Sequence, residues 1–190
     1  MPSHSVNLLR GIIGANSGLA LQNRYEVILP TTNMITQQGQ GETHSPSTNE
    51  MENMNIMCRS VNMPGKQILS LDRAVSGTFQ KIAYGFAAED ITLQFTATAD
   101  LSIKGYFQHW QNQAFDMSDN GKRYPRPKYK SNYVHDVKIY QLDKNGDRGY
   151  GIELVDAYPT TVNAINYSDG AEGPIDFSVQ LSYKKWNEIE

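Results

Sequence analysis

The chain has 190 residues, 39% of them hydrophobic, 19% charged and 10% aromatic, which is enough for one domain over 1–190 with its own core. Seventeen basic residues against twenty acidic ones leave a net charge of −3, which excludes a general nucleic-acid coat but not a local basic patch. One cysteine, Cys58, excludes an internal disulfide, and four scattered histidines do not make a zinc site. No apolar run approaches the roughly 20 residues of a membrane helix, and the opening MPSHSVNLLRGIIGANSG reads as no signal peptide.

In chain order, Ser5 to Ile13 carry Val6, Leu9 and Ile13 at helical spacing and predict a short helix within an N-terminal arm over 1–20. Arg24 to Leu29 is β-branched and aromatic, stops at Pro30 and predicts a strand. The polar segment 30–50 has almost no large apolar side chains, so it predicts a long loop that is mobile in the free subunit and orders on assembly against a neighbour. Strands are predicted over Asn55–Val61, Lys66–Leu71 and Thr78–Tyr84. Ile91, Leu93 and Phe95 alternate with Thr92, Gln94 and Thr96, the period of a half-buried strand. Asp100 is placed to cap the principal helix, with Ile103, Phe107, Trp110 and Ala114 on its apolar side. A basic loop follows over 121–130. Then come a strand over Tyr133–Leu142, an Asn145-Gly146 turn, a strand over Tyr150–Asp156, and a last alternating strand from Phe177 to Trp186. The methionines read as packing filler.

Catalytic and metal chemistry find little support in this pattern. Asp143-Lys144-Asn145-Gly146-Asp147 begins as a calcium loop does, but Arg148 stands where that loop needs Gly and Leu154 where it needs a bidentate Glu. His109 and His135-Asp136 have no nucleophile motif beside them, and Glu89-Asp90 on a strand would point to opposite faces. Gly149-Tyr150-Gly151 lacks phosphate-loop spacing. No enzyme and no cofactor are expected. The basic loop, with Lys122, Arg123, Arg126, Lys128 and Lys130 interleaved with Tyr124 and Tyr129, superficially suits single-stranded nucleic acid but reads better as a solvated or protein-facing loop.

The order of these segments resembles the tail tube protein of contractile-tailed bacteriophages. The elements that carry the resemblance are the NRYEVIL strand, the CRSVNMPGKQI strand, EDITLQF and the Phe107-to-Trp110 helix. They continue with the DKNG hairpin, the run Tyr158 to Ile165 and the closing FSVQLSYKKW strand. Order and spacing over about residues 20–187 carry it, and the 30–50 segment is longer than is usual in that family.

The resemblance implies a mainly β fold, an antiparallel β-sandwich or barrel with one flanking α-helix. Each copy would contribute strands to a hexameric inner β-barrel. Homohexameric rings would stack into a tail tube through which phage DNA is ejected. The implied partners are further copies of the chain, the sheath, the baseplate and tail-terminator proteins, and a tape measure protein in the lumen. DNA would pass without specific binding, and no membrane insertion is implied. The place would be the virion tail, assembled in the host cytoplasm. A baseplate tube initiator of the same fold is the nearest alternative. A monomeric β-barrel that binds a small ligand or carbohydrate is the alternative of another class. Glu153, Asp156, Asp169, Glu172 and Asp176 are lumen candidates, on the expectation that a net negative channel does not retain phosphates. Lys122, Arg123, Arg126, Lys128 and Lys130 are interface candidates, expected to face the sheath or an adjacent ring through weak, salt-screened contacts.

Overall fold

Alternation of apolar and polar side chains builds two antiparallel layers that share one long strand. The computed structural model describes residues 6–15, 18–31, 54–75, 77–116, 126–170 and 173–189. Helix α1 is Val6–Ala15, and strands β1 and β2 are Tyr25–Ile28 and Cys58–Val61. Strands β3 (Lys66–Val75) and β4 (Thr78–Ala88) form a hairpin, and β5 is Ile91–Thr96. Helix α2 is Ser102–Asn112. The short strands β6 (Phe115–Asp116) and β7 (Arg126–Pro127) pair with each other. Strands β8 (His135–Leu142), β9 (Arg148–Val162), β10 (Asp176–Ser182) and β11 (Lys185–Ile189) complete the chain.

The first half of β9 lies between β8 and β11, and β1 extends that layer beyond β8. The second half of β9 pairs with β10, which continues to β5 and β2. Asp156 makes the change of layer, at φ 56 in the left-handed region. Its N–H donates to Asp136 Oδ1 at 3.1 Å, and the Lys184 N–H donates to the Val155 carbonyl at 3.0 Å. A strand that changes sheets commonly does so at such an irregularity. Because β9 turns, its partner must break too. The single closing strand expected over 177–186 is therefore two strands, β10 and β11, on different layers. The layers also meet at their far edges, where the Tyr25 hydroxyl donates to the Cys58 carbonyl at 2.8 Å.

The core lies between the layers and under α2. Leu93 and Phe95, Val179 and Leu181, Val137 and Ile139, and Ile152 and Leu154 are buried from the two sides. Helix α2 buries Ile103, Tyr106, Phe107 and Trp110, with the Phe107 ring 5.2 Å from Phe95. Its two polar aromatics keep partners, as buried polar tips must. The Tyr106 hydroxyl donates to the Pro30 carbonyl at 2.6 Å and Trp110 Nε1 to the Tyr133 carbonyl at 2.7 Å. Asp100 acts one residue further out than a standard cap. Leu101 precedes the helix at φ 53, while Asp100 Oδ1 accepts the Ser102 N–H at 3.3 Å.

One further local expectation is corrected. Residues 54–57 are helical rather than extended, which turns Met54 and Cys58, four apart, into the core together. In the turn before β9 only Gly146 takes positive φ, and the Asp143 carboxylate accepts the N–H groups of Asn145 (2.7 Å) and Asp147 (3.1 Å). That side chain is thus committed to the turn. Gly151 has a different reason: a Cβ there would stand 2.5 Å from the Tyr140 ring across the strand pair. The 30–50 segment lies outside the described residues from Thr32 onward.

The corner gives a direct test by urea unfolding. Asp156→Gly is expected to stay within about 1 kcal/mol of the parent, because glycine accepts the left-handed conformation and only an exposed ion pair is lost. Asp156→Val is expected to cost about 1–3 kcal/mol, since a β-branched residue resists that φ.

Candidate assembly surfaces

The β3–β4 hairpin pairs only with itself among the described residues. Its register places Ile68 opposite Phe86 and Ala74 opposite Phe79 on one face, with Leu71 opposite Ile82 on the other. One extra residue, Tyr84, sits at a bulge opposite the Leu69–Ser70 step. Both faces are open to solvent: Phe79 is 79% exposed, Ile68 65%, Leu71 63% and Phe86 57%. A two-stranded ribbon is at best marginal alone in water, and exposed apolar surface of this kind is a candidate for an interface. Lys66, Arg73 and Lys81 against Asp72 make it basic, although the whole chain is acidic. At its base a hollow of about 490 Å³ is lined by Lys66, Phe86, Lys185, Trp186 and Glu188. Helix α1 likewise exposes Val6, Leu8, Leu9 and Ile12.

The charged candidates fall elsewhere. Arg126 is exposed in β7, Lys128 is half-buried with its N–H on the Ala114 carbonyl at 2.9 Å, and Lys130 Nζ lies 5.9 Å from the centre of the Tyr158 ring. These three follow one another along the chain after α2, whereas Lys122 and Arg123 lie outside the described residues. Among the described residues the acidic candidates do not form a cluster. Glu153 faces Lys138 across the β8–β9 pair at 3.3 Å, and Asp156 meets Lys184 at 3.8 Å. Asp176 accepts the Thr96 hydroxyl at 2.8 Å and pairs with Arg59 at 3.4 Å. Asp169 is exposed in the connection after β9, and Glu172 lies outside the described residues.

The apolar arm escaped the sequence reading. The signal for it was present: Lys66–Leu71 and Thr78–Tyr84 read as two strands, but neither has a consistently polar face to give to water.

The remaining reactive groups are quiet. Cys58 is buried, and burial pushes its thiol pKa up to about 12. Burial also holds His135 below the usual imidazole range, against a smaller opposing pull from Asp136. His109 Nε2 meets the Gln113 amide at 3.2 Å on the same helix. Among the described residues no three metal-binding side chains come together.

A family model for the phage tail tube protein matches residues 20–189. The chain belongs to that family. The match leaves α1 ahead of it. No curated protein matches the chain in sequence. Among solved structures, a chain in the cap that terminates the anti-feeding prophage tube superposes with TM-score 0.61 at 13% identity, covering 90% of this chain and 91% of that one. A chain of the six-fold symmetrised anti-feeding prophage baseplate gives 0.58 at 10% identity, over 90% and 95%. A chain of the sheath–tube complex of an extracellular contractile injection system gives 0.57 at 13% identity, over 90% and 91%. At such identities the likeness is one of fold. A tail tube protein is a structural component of its particle, and no helix among the described residues is long and apolar enough to cross a membrane.

The Cys58 environment yields an expected outcome. The folded chain should resist a small maleimide at neutral pH and react fully only in denaturant, because a buried thiol with so high a pKa carries almost no thiolate. Rapid labelling of the native chain would contradict the burial described.

Proposed function

We propose that copies of this chain close into homohexameric rings that stack into the inner tube of a contractile phage tail, the conduit for DNA ejection. The observation that carries the reading is the β3–β4 arm, apolar on both faces and, among the described residues, strand-paired only with itself. Its occupant is a second copy of the chain: the arm is basic, and the rest of the subunit is more acidic for that reason, so like copies attract where arm meets body. Covering one phenylalanine or isoleucine of the arm contributes roughly 1.5–3 kcal/mol, and ring closure repeats the contact in every subunit. Arg126, Lys128 and Lys130, with Lys122 and Arg123, are assigned to the outside, toward sheath or adjacent ring. Baseplate and terminator proteins at the two ends and a tape measure in the lumen complete the partner set. Assembly takes place in the host cytoplasm, and no catalytic role is assigned.

A second reading is favoured by a specific observation: the likeness to baseplate and cap chains is as high as that to a tube. Under it the chain would form one terminal ring instead of the tube body.

Electron microscopy and size-exclusion chromatography of the purified chain test both readings. Long tubes support the tube body, single rings the terminal position, and a monomer at every concentration removes both. Ile68→Glu with Phe86→Glu should leave the subunit's melting within a few degrees of the parent, because those side chains are already in water, while abolishing rings and tubes. Unchanged assembly of the double variant would remove the arm from the interface.

A further inference from the structure

Helix α1 lies ahead of the residues shared with the family, and its apolar side faces water. Val6, Leu8, Leu9 and Ile12 are each more than half exposed. With half-buried Ile13 they form one stripe along the helix, with Arg10 at its margin and Gly11 and Gly14 on the other side. A free helix of ten residues is shorter than the roughly 12–15 that hold together in water, so the stripe calls for cover. The chain after α1 is held at one end of the β1–β8–β9–β11 layer. Gly18 lies against the Lys144 side chain in the turn before β9. Gln141 Nε2 donates to the Leu21 carbonyl at 3.1 Å, and Arg24 Nη1 donates to the Asp143 carbonyl at 2.8 Å. From there the chain enters β1, one edge of the layer. The hollow at the base of the arm is on the other edge, at β11, with β8 and β9 between, roughly 14 Å away across the strands. Its walls are aromatic, Phe86 from the arm and Trp186 from β11, and its rim carries Lys66, Lys185 and Glu188. Lys66 Nζ lies 5.4 Å from the centre of the Phe86 ring.

We infer that α1 of one copy seats its apolar stripe in the hollow at the arm's base of the next copy. The inference rests on the ring-and-tube reading and names one contact within it. Head-to-tail association of like copies needs two different patches that fit each other and lie on different sides of the subunit. The stripe and the hollow meet both conditions. One is convex and aliphatic at the β1 end, and the other is concave and aromatic at the β11 edge. A volume of about 490 Å³ falls in the range of sites that enclose a small organic molecule, which leaves room for several aliphatic side chains. The charges agree with this pairing. Arg10 is the single charge of α1, and its last turn holds no basic residue to offset the partial negative charge of the carbonyl end. Lys66 and Lys185 on the rim suit that end, and Glu188 suits Arg10. The hollow is also continuous with the arm, because Lys66 and Phe86 belong to both. One association therefore covers the stripe, the hollow and part of the arm.

The test uses the full chain in its assembled form, with buried Cys58 as a silent background. Leu9→Cys and Asn187→Cys are made in separate chains, assembled together and treated with a short bis-maleimide. The expected product is a covalent pair of one chain of each kind, about tenfold or more above the pairs formed by either variant alone. Pairs of Leu9→Cys with itself in equal yield would bring two stripes together and overturn the inference. Assembled material without mixed pairs would overturn it as well. A doubly substituted chain that links only within itself would put α1 in its own hollow, with the same consequence. The second arm of the test is Leu9→Glu with Ile12→Glu. Both side chains are already exposed, so melting should stay within a few degrees of the parent. The concentration needed for rings or tubes should rise by about tenfold or more. Assembly at an unchanged concentration would overturn the inference and leave the function reading standing. A parent chain that stays monomeric at every concentration would instead remove that reading, and this inference with it.

Discussion

A fifteen-residue strand that turns once, at Asp156, ties the rest of the molecule together. Before the turn β9 spends both edges on β8 and β11. Beyond it one edge goes to β10, and the Gln111 amide of α2 donates to the Thr160 carbonyl at 3.1 Å. Both layers therefore hang on one piece of backbone, and the core fills the angle between its halves. Backbone groups in a buried strand must find partners, so the break between Ser182 and Lys185 is a consequence of the bend. The aromatic side of α2 then closes the space over Phe95 and Phe177, whose rings lie 5.8 Å apart.

With the interior so committed, function is left to the surface, where the magnitudes sort the features. The Lys138–Glu153, Lys184–Asp156 and Arg59–Asp176 pairs are partly or largely exposed, and such pairs contribute about 0–1 kcal/mol each. Each sets opposite charges side by side within the subunit. The apolar arm is different in kind. Its exposed phenylalanines and aliphatics carry a burial free energy that the isolated subunit does not realise and that association through the arm would release.

The relatives show how little of this can be carried over by likeness. At 10–13% identity the same fold is kept with almost every side chain different, which a core tolerates when volume and patterning are kept. The fold fixes where the layers, the corner and the helix lie. Whether a face is ionic, neutral or apolar belongs to this chain's own residues and has to be read from them.

By itself the sequence determined the class of structure: alternation over Ile91–Thr96 and Phe177–Ser182, and the Ile103, Phe107 and Trp110 spacing, are local periodicities that backbone geometry converts directly into strands and a helix. The order of those segments also sufficed for the family. Register and partnership, in contrast, are long-range. That β9 changes layers, that residues 177–186 belong to two strands, and that residues 54–57 coil so that Met54 and Cys58 enter the core follow from which edges are free, a property of the folded whole. The same holds for the candidate surfaces. Glu153 and Asp156 stand out by charge in the sequence, and only the fold shows Lys138 facing the first across the strand pair and Lys184 meeting the second beside the corner. The arm and the hollow at its base became visible only once packing had decided which apolar residues find a core and which are left outside it.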